Sequence, residues 1–79
     1  MTEYRDRLRY ESPDGQSAIT IEQSDHGLWR FTVWKLVAAQ GDEDEFDHAY
    51  WLPSFESGLY AAAAEATAAA RTQVDWFRS

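Results

Sequence analysis

Five carboxylates fall within six residues at Asp42-Glu43-Asp44-Glu45-Phe46-Asp47, in a 79-residue chain of formal net charge -7. Carboxylates at that density could do three kinds of chemistry: proton transfer, cation binding, or the imitation of a polyanion. Proton transfer needs a group held near neutral pKa, and nothing apolar surrounds Asp44 or Asp47 to raise one. Asp42, Asp44 and Asp47 are hard oxygen ligands, but the run lacks the glycine, the alternating spacing and the distal glutamate of an EF-hand loop, so a calcium site is not expected. What is left is electrostatics. A dense acidic edge attracts basic protein surfaces and repels nucleic acid itself.

The other reactive side chains do not assemble a catalytic set. The chain has no cysteine, so it carries neither a thiol nucleophile nor a thiolate metal site. Its four glycines are isolated from one another, and none opens a phosphate-cradling loop. Of the two histidines, His26 falls in a turn, and His48 shares the inward face of a strand with Phe46 and Tyr50, where a packed histidine is expected rather than a general base. The reading is of a protein that is not an enzyme and carries no cofactor or metal. Arg5, Arg7 and Arg9 alternate along a single strand, a basic stripe of the sort found on nucleic-acid-binding sheets. Counterion release needs a net basic footprint that this chain lacks, so direct nucleic-acid binding is not expected; cross-strand pairing with Glu22 is.

These residues must be positioned by one small domain spanning residues 1–79, near the lower size limit for a self-sufficient core. Four Trp, four Tyr and four Phe supply much of the buried area. No stretch resembles a signal peptide or a membrane span, and a cytoplasmic protein is the default. Tyr4, Leu8 and Tyr10 alternate with the arginines as a first strand, which Ser12-Pro13-Asp14-Gly15 turns into a second at about Ser17 to Gln23. Ser24-Asp25-His26-Gly27 turns again into a third strand, Leu28 to about Ala38, apolar on both faces and therefore central. Phe46 to Leu52 reads as a fourth strand ended by Pro53. Ser54 or Ser57 then caps a helix that runs through the alanines to about Phe77, with Leu59, Ala63, Ala66, Ala70, Val74 and Phe77 as its buried stripe. The fold class is α+β: a four-stranded antiparallel meander with one C-terminal α-helix on one face (ββββα).

In such a meander the first and third connections share one end of the sheet, and the helix returns its carboxyl terminus there. Glu11, Asp14, the acidic run and Asp75 would form an acidic pole, with Arg9 and Arg78 its nearby cations. The face away from the helix stays open. With Trp29, Phe31 and Val33 buried, Trp34, Leu36 and Trp51 would form an apolar patch on it, suited to a partner or to dimerisation, or partly covered by arginine stems; a one-residue slip would exchange the two sets.

In length, charge, lack of a catalytic set, and a sheet-plus-helix plan carrying Asp42-Glu43-Asp44-Glu45, the chain resembles the small acidic proteins that phages encode as anti-CRISPR inhibitors of type I systems. The resemblance is of overall character, with no shared motif. It implies a partner, the RNA-guided surveillance complex (Cascade), and a mode of action. Several such inhibitors occupy the Lys- and Arg-rich surface that engages the protospacer-adjacent motif or the DNA strands, so carboxylates would act as a DNA mimic in the host cytoplasm. The expected contacts are Asp14, Asp42, Glu43, Asp44, Glu45 and Asp47, with Trp51 or Trp34 as an aromatic anchor. The alternative is a small accessory or housekeeping domain that homodimerises through the open sheet face, its acidic loop only aiding solubility.

Overall fold

The computed structural model describes residues 3–38 and 49–78. Four strands, β1 (Tyr4–Glu11), β2 (Ser17–Ser24), β3 (Trp29–Ala38) and β4 (Ala49–Glu56), pair antiparallel in the order β1-β2-β3-β4. Helix α1 (Ala63–Gln73) and a 3-10 turn at Asp75–Phe77 follow. This is the expected ββββα meander. Both tight hairpins close as their turn residues dictate. Gly15 (φ 74°) and Gly27 (φ 85°) take the left-handed conformation and donate to the carbonyls of Ser12 and Ser24, both at 3.0 Å.

The β2–β3 register puts Ile19 opposite Val33 and Ile21 opposite Phe31 on the helix side. Ala18 with Trp34, Thr20 with Thr32 and Glu22 with Arg30 face the other way. The core is therefore Ile19, Ile21, Phe31, Ala66, Ala70 and Phe77, with Tyr10, Trp29 and Val33 packed against it. The set containing Trp29, Phe31 and Val33 lies under the helix, as expected. Ala66 and Ala70, one turn apart and fully buried, let α1 sit close to the sheet.

Three local expectations are corrected. The first strand does not keep its period of two: a bulge between Asp6 and Leu8 breaks the register. Arg5 and Arg7 consequently lie beside Gln23, which accepts from Arg7 Nε and Nη2, whereas Arg9 faces the opposite side and pairs with Glu11. There is no arginine stripe, and Glu22 pairs with Arg30 of β3 instead. Nor does Pro53 end β4, which continues to Glu56 across an irregularity at Val33/Trp34. As an edge strand, β4 tolerates the missing N–H that a central strand would not. The third correction concerns the helix, which begins at Ala63 with no side-chain cap. Ser57 serves β3 instead: its N–H donates to the Phe31 carbonyl and its Oγ accepts from the Phe31 N–H, both at 2.9 Å. Tyr60 and Trp29 then exchange two backbone hydrogen bonds. The first half of β3 needs partners for its backbone, and residues 57–60 supply them before the chain can coil.

Because α1 has 11 residues, it is roughly 16 Å long. Of the four strands it packs on β2 and β3. Leu59, placed by its spacing in the buried stripe, is 53% exposed. On β4 the helix-side residues Tyr50, Leu52 and Phe55 stay about half exposed. Both sheet edges carry features that discourage further strand pairing, the bulge and arginines of β1 and the proline of β4.

Candidate functional site

The first hairpin turn and the ends of β3 and β4 lie at one end of the sheet, since Ser17 pairs with Lys35 and the Leu36 N–H donates to the Gln16 carbonyl. The acidic run Asp42, Glu43, Asp44, Glu45 and Asp47, and His48, lie outside the described residues. The strand ends that flank the run, Ala38 and Ala49, are paired with each other at this end. The helix also returns here: Asp75 lines a groove together with Ser17 and Lys35.

Within the described residues the carboxylates of this end are largely compensated. Glu11 pairs with Arg9 at 3.2 Å and Asp75 with Arg78 at 3.7 Å, so both cations expected nearby are engaged. Asp14 is held differently. The Ser12 hydroxyl and then the Gln16 N–H donate to Asp14 Oδ1, and these bonds hold its carboxyl below the ordinary carboxylate range. A depressed folded pKa stabilises the fold above the unfolded pKa of about 4, and the contribution is lost as pH falls through the lower folded value. Asp14→Asn should therefore flatten the acid limb of a melting-temperature profile below about pH 4. Parallel wild-type and variant profiles in that range would show that the turn contributes no such linkage.

The second feature is the face opposite the helix. Among the described residues no element covers it, yet Ala18, Thr20, Glu22 and Thr32 are all at most 3% exposed. Neighbouring side chains lean over them. Trp34 Nε1 donates to Thr20 Oγ1 at 2.9 Å, and Thr20 in turn donates to Glu22 Oε2 at 2.6 Å. Arg30 Nε reaches Glu22 Oε1 at 2.7 Å, and its guanidinium lies 3.6 Å from the Tyr4 ring centroid. From the other side Arg9 lies over Trp51 at 5.0 Å. Burial acts to lower the Arg30 pKa, but the hydrogen bond and charge of Glu22, with Glu56 and Tyr4 adding to them, hold it above its usual value. The open face is thus a chain of satisfied polar contacts roofed by aromatic and guanidinium planes, in which Thr32 Oγ1 alone among the buried described side-chain atoms lacks a partner.

Of the expected contact residues, Asp14 is exposed in the first turn, and Trp34 and Trp51 share the open face. Both tryptophans are half-buried, and Trp51 has the arginine cover that was one of the two expectations for it. The Tyr4–Arg30–Glu22–Thr20–Trp34 chain escaped sequence reasoning, although one signal for it existed: a hairpin centred on His26 sets Glu22 against Arg30. Of the exposed apolar side chains, Leu8, Leu28 and Leu59 are scattered over other elements, whereas Tyr50, Leu52 and Phe55 share β4, on the opposite side of the sheet from Trp34 and Trp51. Among the described residues, no three His, Cys, Asp or Glu side chains could hold a metal, and no helix is long and apolar enough to cross a membrane. The chain matches no family model, no curated protein and no solved structure.

Proposed function

We propose that this chain is a non-enzymatic acidic binding protein that inhibits a nucleic-acid-handling complex by presenting carboxylates to its basic surface. The type I CRISPR surveillance complex is the partner suggested by the resemblance in overall character. One observation carries the reading: five carboxylates in six residues are inserted between two strand ends that lie at the same end of the sheet as Asp14 and Asp75, on a body of net charge -7. A site that holds phosphates presents clustered Lys and Arg, and an acidic end meets them with steered association and steep salt dependence. The Glu11–Arg9 and Asp75–Arg78 pairs make the run the main source of that field, so its removal should be decisive. The accessory-domain reading has less support, because the open face through which it would dimerise is occupied by a charged, hydrogen-bonded network.

The test is capture of partners from cells carrying a type I system, by the wild type and by a variant with Asp42, Glu43, Asp44 and Glu45 changed to Ala. Surveillance-complex subunits should come down with the wild type, and recovery should fall at least about tenfold with the variant or at raised salt. Equal recovery by both proteins would sink the electrostatic mechanism. Recovery of no such subunits by the wild type would sink the choice of partner.

A further inference from the structure

We infer that the half-bare flank of β3 and β4 is the contact face of a symmetric dimer of this chain. The core has six buried members, two of them alanine. Beside it, on the same side of the sheet and beyond the reach of α1, Tyr50, Leu52 and Phe55 are 49%, 46% and 47% exposed. Each side chain presents on the order of 100 Å², so the three together approach 300 Å² of apolar surface, within the range of the largest patch on a typical monomer, which is often functional. Small domains with a limited core commonly complete it by association.

A second copy fits because the surface is both convex and concave. The β4 side chains protrude, and next to them runs a groove of about 420 Å³ between β3–β4 and the end of the helix. Val33 and Phe55 form its sheet wall, Val74 and Trp76 its helical wall. A twofold axis through the groove sets the sheet wall of each copy against the helical wall of the other, so Phe55 and Leu52 of each copy pack on Val74 and Trp76 of its partner. The charges at the rim obey the same symmetry. Lys35 stands on the sheet wall, with no ion pair among the described residues, and Asp75 stands on the helical wall. The axis brings Lys35 of each copy to Asp75 of the other, two reciprocal contacts of opposite sign. Pairing through sheet edges would be the other route to self-association, and the β1 bulge and Pro53 both obstruct it.

The experiment is sedimentation of the full chain from micromolar to millimolar concentration. The wild type should show a reversible monomer–dimer equilibrium. Leu52→Glu, which places a carboxylate across the strands from Lys35 and so leaves the fold supported, should weaken the dimer about thirtyfold or more. Lys35→Asp and Asp75→Lys should each self-associate poorly, because each sets like charges together twice. Mixed, they should form a heterodimer, in which both contacts regain opposite signs. This mixture separates an interface from a folding defect, since neither protein changes on mixing. A wild type that stays monomeric throughout, a Leu52→Glu dimer as tight as the wild type's, or a mixture no better associated than its components would each overturn the proposal. Loss of the dimer in Trp51→Ala alone would move the interface to the open face.

Discussion

Arg30→Ala is expected to cost about 3–5 kcal/mol of folding stability, a large part of the roughly 4–12 kcal/mol available to a domain of this size. The reason lies with the partner left behind. Glu22 is 3% exposed, and its two oxygens are held by Arg30 Nε and the Thr20 hydroxyl. Deleting the guanidinium leaves a carboxylate with one hydrogen bond and no countercharge, in a site roofed against water. It also removes the plane that stacks on Tyr4 and approaches Glu56 at 3.8 Å. The pair itself is a different quantity. Desolvating both charges offsets most of their attraction, so the double change Glu22→Leu with Arg30→Met, similar in volume and free of stranded charge, should cost no more than about 1 kcal/mol. Urea unfolding of the two variants reads both numbers. A cost below about 1 kcal/mol for Arg30→Ala would mean that Glu22 is hydrated despite its low exposure.

The hairpins were legible in the sequence because local chemistry dictates their turns, whereas the buried face of β3 was not, because a one-residue slip would exchange its two apolar sets. Ser12-Pro13-Asp14-Gly15 has one economical conformation, and the structure then settles the register by placing Ile19 opposite Val33 and Ile21 opposite Phe31 under the helix. The departures come where tertiary demands override local rules. Arg5, Arg7 and Arg9 keep an unbroken alternation, yet the bulge at Asp6/Leu8 turns them to different sides; charged residues on an edge strand have no core to enforce their parity. Pro53 ends a strand only where its missing donor is needed, and on an edge it is not. Ser54 and Ser57 offer helix caps, but Ser57 is taken by the backbone of Phe31. The helix is shorter for that reason, and the shortening is what leaves Tyr50, Leu52 and Phe55 bare. As for the site, Asp14 could be placed on its turn from pattern alone, but the face of Trp34 waited on the register of β3. The Glu22–Arg30 contact needed the hairpin register, which the turn centred on His26 supplies only once the pairs are counted.

Phe31→Ala should be the most damaging single change in the described residues, at about 3–5 kcal/mol and at the upper end of that range. Phe31 is fully buried, the largest side chain to be so among the described residues, and sits in the first half of β3 under α1. What surrounds it cannot collapse into the space. The helix facing it contributes Ala66 and Ala70, which have no further atoms to extend, and α1 is held in place at both ends. Its entry is fixed by the two Trp29–Tyr60 backbone bonds, and its exit by Phe77, whose ring lies 4.7 Å from Tyr10. Phe55, at 5.8 Å, would lose its ring partner and is itself tied to the edge strand. For a domain of 79 residues, 4 kcal/mol corresponds to a fall in melting temperature of roughly 15–30 °C. If the loss is a cavity rather than a lost propensity, filling it from the opposite layer should help. Phe31→Ala combined with Ala66→Leu should melt above Phe31→Ala, while Ala66→Leu alone, which overpacks the intact core, should melt below the wild type by the equivalent of about 1–3 kcal/mol. A double variant no more stable than Phe31→Ala would mean that the helix moves to close the gap, and that the close seat provided by Ala66 and Ala70 is looser than their burial implies.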